Sequence, residues 1–251
     1  MTSNADSGAP NVKHARIRYR FCGVNCGGPR DVAMVFGARG MTLMREVVKN
    51  AAVGVAIADK PDDLAAIKTP GCAAAIWRRP VEPGFQTWLD ALRPDRLPHG
   101  RIAMRHKAVR GAVERLCDLA NTPKSAERTY LINDIAALAN LFEGLMPSGH
   151  VRLRLEPVRS NACRKFHIDA LTARLICTYR GTGTQYGIST DGLDPARVFT
   201  VPTGSPVVLR GTLWPETPRS GLLHRSPPIE GTDETRLVLV LDPVFDPEDM
   251  T

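Results

Sequence analysis

The spacing of apolar residues along the chain changes its period near residue 150. Before that point, apolar residues recur at intervals of three and four, which is typical of an amphipathic helix. One such helical face carries Val109, Val113, Leu116 and Ala120. After it, residues 150–158 read HVRLRLEPV and alternate between polar and apolar positions, which is typical of a half-buried strand. The pattern predicts a mainly helical region over 31–150 and a strand-rich region over 151–245.

The last helix of the first region has recognisable boundaries. Thr122 can act as its N-cap, and Pro123 suits the first helical position. The run MPSG at 146–149 ends the helical pattern.

Short apolar runs follow in the second region, at 173–179, 205–211 and 235–242. Clusters of glycine and proline separate these runs, and such clusters mark turns. Several short strands joined by turns favour a β-sandwich or a barrel. In the turn RGTGTQYG, a need for positive φ explains Gly181 and Gly183 better than a phosphate-binding loop, because the P-loop lysine is missing.

The composition of the 251 residues is that of an ordinary globular protein, with 43% hydrophobic and 24% charged residues. No apolar run reaches the roughly 18 residues of a membrane-spanning helix, and the polar, basic start lacks the apolar core of a secretory signal. These features predict a cytoplasmic protein without membrane contact. Its six cysteines are then expected to be thiols or metal ligands. The first segment, 1–30, is predicted to be flexible.

The net charge of +7 permits an acidic partner. A nucleic acid partner is disfavoured, because the arginines are spread along the chain and aromatic residues, at 6%, are too few for stacking platforms. The composition leaves open whether the substrate is a small molecule or a protein, and it does not fix the oligomeric state.

Four residues of the strand-rich region combine the chemistry of a metal site. His167 and Asp169 stand two apart in KFHID, which would place both side chains on one face of a strand. His224 follows in LLHRSPP, and Arg236 begins the last apolar run. Two imidazoles and one carboxylate leave coordination positions open, as in the facial triad of non-haem Fe(II) oxygenases. Those positions can take a chelating oxo-acid and O₂, and a nearby arginine can grip the distal carboxylate of the oxo-acid.

Each of these residues also has a purely structural interpretation. His167 and Asp169 fit a half-exposed strand face with a local hydrogen bond. His224 fits a histidine packed in a loop rich in serine and proline. Arg236 fits the start of a strand, paired with a neighbouring acidic residue. The catalytic and metal-binding interpretation of the first three is the preferred hypothesis, because an unpaired carboxylate facing a barrel interior is unfavourable unless a charge or a metal compensates it.

Cysteine offers a rival site. Cys163 lies shortly before His167, and a thiolate added to the two histidines and the aspartate could close a tetrahedral zinc site. Cys177 lies in an apolar run and is predicted to be a buried core thiol. Cys22 and Cys26 lack a second cysteine pair at zinc-finger spacing, so they are predicted to be accessible thiols in a flexible segment.

Three further residues are predicted to line or support the same pocket, namely Tyr179, Arg174 and Thr184. Together with Arg236 they form the candidate set for binding a cofactor. Core packing is the alternative role for Tyr179, and surface charge is the alternative for Arg174.

Four segments resemble a bacterial family known as domain of unknown function 1826: AIWRRP, FHID, RLICTYRGTGTQY and LLHRSPPIEGTDETRLVLVLD. The resemblance covers roughly residues 65 to 243. The family has no settled activity. Its genes are often found with genes of zinc homeostasis, so the resemblance makes zinc an alternative metal.

More remotely, the order H-x-D, then H, then R is similar to that of Fe(II)/2-oxoglutarate oxygenases. That likeness covers only the strand-rich half and implies a double-stranded β-helix, a cupin-like jelly roll, over 151–245. With the helical pattern before it, the predicted fold is α+β, a helical N-terminal half packed on this C-terminal β-helix. The likeness also implies Fe(II) bound by His167, Asp169 and His224, and 2-oxoglutarate clamped by Arg236. The preferred function is then a metal-dependent oxygenase. The alternatives are a non-catalytic zinc-binding protein of metal homeostasis and a jelly roll with a vestigial site.

Overall fold

The structure, a computed structural model, describes residues 50–246. Within that range it contains three α-helices, α1 (Pro83–Ala91), α2 (Val109–Leu119) and α3 (Ala126–Leu145), and three short 3₁₀ helices at Pro61–Lys68, Pro94–Arg96 and His106–Ala108. The strands of the same range are β1 (Gly54–Ala58), β2 (Cys72–Trp77), β3 (Gly100–Arg105), β4 (His150–Val158), β5 (Ala173–Arg180), β6 (Gln185–Ile188), β7 (Phe199–Thr200), β8 (Pro206–Arg210), β9 (Leu222–Arg225) and β10 (Arg236–Val244).

The strands form two sheets. The major sheet has seven strands in the order β1-β2-β8-β5-β10-β4-β3, and the minor sheet has three in the order β7-β6-β9. Every pairing in the two sheets is antiparallel except that of β1 with β2. The molecule is therefore a mixed α/β protein built around a large, mostly antiparallel sheet.

Alternation along β10 shows how the layers pack. Leu237, Leu239 and Leu241 are fully buried in the core that also contains the apolar faces of α2 and α3. Val238 and Val240 point to the opposite face, where they join a second apolar cluster with residues of the minor sheet. Burying one such side chain contributes roughly 1.5–3 kcal/mol. The major sheet thus has helices on one face and the minor sheet on the other.

The strand predictions for the second half of the chain are confirmed. The alternating segment 150–158 is β4, and the three apolar runs after it fall in β5, β8 and β10. On the first half, the helical face with Val109 and Val113 is buried as predicted, in α2.

The predicted helical N-terminal half is not supported. β1, β2 and β3 all come from the part before residue 150, and they join the same sheet as the later strands. The reason is visible in β2, whose sequence CAAAIW is almost completely buried. A short apolar run of this kind has no period that separates a buried strand from a buried helix. The predicted flexible segment 1–30, with Cys22 and Cys26, lies outside the described residues.

The start of α3 also differs from the prediction. The helix begins at Ala126, and its N-cap is Ser125, whose Oγ accepts a hydrogen bond from the backbone N–H of Arg128 at 3.2 Å. Thr122, the predicted cap, instead donates its hydroxyl to the backbone oxygen of Arg96 at 2.7 Å. Among the helices between residues 50 and 246, none is long and apolar enough to cross a membrane.

Candidate metal centre

A backbone bridge brings the two candidate histidines together. The N–H of His167 donates to the oxygen of His224, and the N–H of His224 donates to the oxygen of His167, each at 3.0 Å. The sequence suggested a strand for His167 and a loop for His224, and the structure shows the opposite. His224 lies within β9, and His167 lies outside the strands and is held by this single bridge. The bridge sets the imidazoles side by side, with ring centroids 4.5 Å apart.

The carboxylate of Asp169 completes the group. Its Oδ2 lies 3.1 Å from Nε2 of His224, and its Oδ1 lies 3.6 Å from Nε2 of His167. One candidate ligand atom from each residue can be chosen so that all three lie within 4.8 Å of one another. Asp169 and His224 are 4% and 5% exposed, whereas the side chain of His167 is 21% exposed. Asp169 and His224 are therefore enclosed by the protein, whereas His167 is partly accessible from the adjoining pocket.

A tight loop after β8 fixes the backbone at Asp169. The N–H of Thr212 donates to the backbone oxygen of Asp169 at 2.9 Å, and the N–H of Leu213 donates to that of Leu171 at 3.1 Å. Gly211 makes this contact feasible, because a Cβ at that position would lie 2.8 Å from the oxygen of Asp169 and closer still to that of Leu171. The carboxylate is thus positioned through its main chain.

The residues present fit a divalent cation. Nδ1 of His167 lies 2.8 Å from the backbone oxygen of Lys165, so an N–H there leaves the lone pair of Nε2 to face the group. Oδ2 of Asp169 is buried and lacks a hydrogen-bond partner in the protein. A buried acceptor without a donor is unfavourable, and a bound cation removes that penalty.

The protonation states also suit a metal. Burial alone would raise the pKa of Asp169, but the neighbouring His224 and the guanidinium of Arg174 outweigh it and hold that pKa well below its usual value. Burial lowers the pKa of His224, although Asp169 acts in the opposite direction. At neutral pH the site therefore offers an ionised carboxylate and a neutral imidazole, the forms that bind metals.

Arg174 is in direct contact with the candidate ligands. Its Nη1 donates to Oδ1 of Asp169 at 2.6 Å, while Nε and Nη2 donate to the two oxygens of Asp242 at 2.6 and 2.7 Å. The sequence prediction missed Asp242. One signal was present, because Asp242 shares its face of β10 with Val238 and Val240.

Arg236 is buried in the wall of the same pocket, at 1% exposure. Its Nε donates to the backbone oxygen of Thr182 at 2.6 Å, and Nη2 donates to the hydroxyl of Thr178 at 3.3 Å. Arg236 forms an ion pair with none of the carboxylates in residues 50–246. The carboxylate of the nearby Glu234 accepts a hydrogen bond from the hydroxyl of Thr182. Burial lowers the pKa of Arg236 to about 10, with Glu234 opposing, so the group is a cation at neutral pH.

The pocket lies between the two sheets. Its walls include the two histidines together with Arg174, Thr184, Arg236 and Cys163. Arg225, which the sequence prediction did not single out, also lines it and stacks over the ring of Phe166 at 4.3 Å.

Two of the predicted residues take other positions. The side chain of Tyr179 packs in the core on the helix side of the major sheet, and its hydroxyl donates to Oδ2 of Asp134 at 2.6 Å. The prediction of Tyr179 as a pocket residue is corrected, because it shares its face of β5 with the buried Cys177. Cys163 lines the pocket but is not among the three residues whose ligand atoms converge.

The fold and these residues define a mixed α/β protein with a candidate His-Asp-His metal centre in a pocket between two sheets. Residues 58–242 match the family described as protein of unknown function (DUF1826), and the chain belongs to that family. The family resemblance seen in the sequence is thereby confirmed. No match is found among curated proteins.

Several solved structures are similar to the chain at low identity. A dioxygenase for auxin oxidation from rice is 13% identical, with a TM-score of 0.44 over 78% of this chain and 84% of that one. A full-length protein of Neurospora crassa, solved in complex with alpha-KG, is 14% identical, with a TM-score of 0.38 over 78% and 88%. A prolyl-4-hydroxylase of Pseudomonas putida is 12% identical, with a TM-score of 0.37 over 73% and 97%. At these identities and scores, the likeness carries no argument about the activity of this chain.

Proposed function

We propose that the protein is a metal-dependent oxygenase that binds Fe(II) through His167, Asp169 and His224 and oxidises a second substrate with 2-oxoglutarate and O₂. The two sheets are then the halves of a double-stranded β-helix. One observation carries the proposal: His167 and His224, whose ligand atoms converge with that of Asp169, line a pocket whose wall also holds the buried cation Arg236 without a carboxylate partner.

The three side chains divide the work of holding the metal. Asp169 contributes a negative charge, and the two imidazoles contribute neutral nitrogen ligands from opposite sides of a backbone bridge. Three protein ligands leave coordination positions for small molecules, whereas a closed structural site would use four. Fe(II), when bound, supplies the redox chemistry with O₂ that amino acid side chains lack.

Arg236 is proposed to receive the distal carboxylate of 2-oxoglutarate. Its hydrogen bonds to Thr182 and Thr178 use Nε and Nη2 and fix the plane of the guanidinium, which leaves Nη1 to donate. A charge-assisted hydrogen bond in a buried setting is among the stronger polar contacts in proteins. Thr184, which lines the same pocket, is the second residue proposed to contact the oxo-acid, while Arg174 supports the metal site from behind.

A non-catalytic zinc-binding protein is the second candidate. Cys163 favours it, because this partly exposed cysteine lines the pocket that holds the two histidines. A thiolate added to the three candidate ligands would make a four-ligand site, and such a site with sulfur favours zinc. A closed zinc site would bind no oxo-acid, so it would not explain the buried charge of Arg236.

Anaerobic spectroscopy separates the two functions. Protein loaded with Fe(II) should develop a weak visible charge-transfer band when 2-oxoglutarate is added, because the oxo-acid would chelate the metal at positions that the three side chains leave open. The His224→Ala variant, treated in the same way, is the control and should give no band. If the wild-type protein gives no band, and Cys163→Ala instead releases tightly held zinc, the oxygenase proposal is wrong.

A further inference from the structure

A chain of three buried charged side chains runs behind the candidate metal centre. It joins Asp242 to Arg174 and Arg174 to Asp169, through hydrogen bonds of 2.6, 2.7 and 2.6 Å. All three residues are less than a tenth exposed. Charged groups in such a setting need partners, and here each group is the partner of the next.

Two members of this series of charged side chains lie on paired strands of the major sheet. Asp242 lies on β10 and Arg174 on β5, and these two strands are paired at the centre of the major sheet. Arg174 presents two of its nitrogens to Asp242 in a bidentate pair, which fixes the plane of the guanidinium. Because that plane is fixed, Nη1 is the nitrogen that reaches towards Asp169.

The two oxygens of Asp169 consequently differ. Oδ1 accepts the hydrogen bond from Arg174, whereas Oδ2 accepts none from Arg174 and lies 3.1 Å from Nε2 of His224. We propose that Asp242 and Arg174 are positioning residues that make Asp169 a ligand through Oδ2 alone. The inference rests on the metal site proposed above and adds the reason why its carboxylate occupies one coordination position and leaves the others vacant.

Asp242 acts in this arrangement through Arg174 and touches no ligand itself. Without Asp242, the guanidinium can rotate towards Asp169 and compete for both of its oxygens. The oxygen meant for the metal would then accept a hydrogen bond instead. The metal would be held more weakly, because Arg174 would engage the oxygen that should bind it.

A matched control ion pair lies on the other face of the major sheet. Asp134 accepts a similar bidentate pair from Arg79, at 2.6 and 2.7 Å, and both residues are largely buried. Asp134→Asn therefore breaks the same kind of ion pair as Asp242→Asn. Only Asp242 is connected to the metal centre, so a difference between the two variants reports positioning, while a shared loss of thermal stability reports the broken pair.

The experiment titrates each protein with Co(II) alone and records the visible absorption of the metal. Asp242→Asn should lower the affinity for Co(II) by roughly 10- to 100-fold, the usual effect of losing a residue that supports a metal ligand. It should also change the Co(II) spectrum, because the coordination by Asp169 changes. Asp134→Asn should leave the affinity and the spectrum as in the wild type.

A second variant covers the case in which Asp242→Asn does not fold. Arg174→Lys keeps the buried positive charge but cannot form the bidentate pair, so it should shift the Co(II) spectrum and weaken binding in the same direction. Wild-type affinity and spectrum in either folded variant would overturn the positioning role and leave the metal site standing. Failure of the wild-type protein to bind Co(II) or Fe(II) would overturn the metal site and the inference with it.

Discussion

Oδ2 of Asp169 lies 3.1 Å from Nε2 of His224, yet it is a buried oxygen that accepts no hydrogen bond. One ligand atom from each of His167, Asp169 and His224 lies within 4.8 Å of the others, so the two groups are close enough to bind one ion together. The predictions that follow start from that contact and from the residues packed around it.

Removing either candidate imidazole should remove the metal and spare the fold. We expect His224→Ala and His167→Ala each to lower metal affinity by at least the roughly 10- to 100-fold that follows loss of a supporting residue. Elemental analysis of the purified variants, with circular dichroism beside it, measures both effects. His106→Ala is the control, since that histidine lies beside Glu143 of α3. Full metal content in both ligand variants would contradict the site.

Arg236→Ala should weaken 2-oxoglutarate binding to the Fe(II)-loaded protein. We expect a loss of about 1.5–3 kcal/mol, the range for a hydrogen bond to a charged group. The charge-transfer band, titrated with the oxo-acid, gives the affinity. Cys163→Ala should leave it largely unchanged.

Arg210→Ala controls for the loss of a buried arginine, because Arg210 donates to the backbone oxygens of Ile67 and Thr69 and is absent from the pocket wall. An equal loss of oxo-acid affinity in Arg210→Ala and Arg236→Ala would show that Arg236 acts through stability alone.

Gly211→Ala should destabilise the protein and weaken metal binding together. The added Cβ would overlap the backbone oxygen of Leu171 and crowd that of Asp169, so the loop must move away from the metal centre. Overpacking of this kind costs about 1–3 kcal/mol. Chemical denaturation and metal titration measure the two effects.

Gly144→Ala is the matched control for that substitution. It lies in α3 with open space around the position of the new Cβ. Because alanine is the better helix former, this variant should gain roughly 0.5–1 kcal/mol and bind metal as the wild type does. Gly211→Ala with wild-type stability would contradict the close approach.

The buried thiol of Cys177 should make the free energy of unfolding depend on pH in the alkaline range. Burial raises its pKa from 9.0 to about 12. Between these values the unfolded chain has lost the proton that the folded protein keeps, so the free energy of unfolding falls as the pH rises. At about 1.4 kcal/mol per pKa unit, this thiol contributes a decline of roughly 4 kcal/mol by pH 12, of which at most roughly 1.4 kcal/mol falls between pH 9 and 10. Denaturation of Cys177→Val at pH 8, 9 and 10 should show a shallower decline than the wild type, and parallel curves would contradict the prediction.

The predictable part of this protein is the part that local pattern determines. β4 follows from alternation, because one of its faces is buried and the other is not. The candidate ligand set was proposed from residue type and order, and the three side chains do come together in the structure. The helical face of α2 follows from its spacing in the same way.

The remaining features depend on which strands become neighbours. β2 was missed because its apolar run carries no period. The role of Asp242 was missed because it depends on Arg174, far away in sequence and adjacent only once β5 and β10 pair. Tyr179 was placed on the wrong face because local sequence does not say which side of β5 the helices cover. Which strands pair, and which face of a sheet the helices cover, depend on contacts between residues far apart in sequence, and a single sequence does not show these contacts.

The strands around the candidate centre differ in how readily they open. β10 is paired with β4 along its whole length and with β5 on its other side, whereas His167 is held by one bridge and His224 by a strand of four residues. Local opening needs less free energy where fewer backbone hydrogen bonds break. Amide hydrogen exchange should therefore be faster at the two histidines than along β10. The two histidines can then separate while β10 stays folded, and an ion would reach the proposed site by that route.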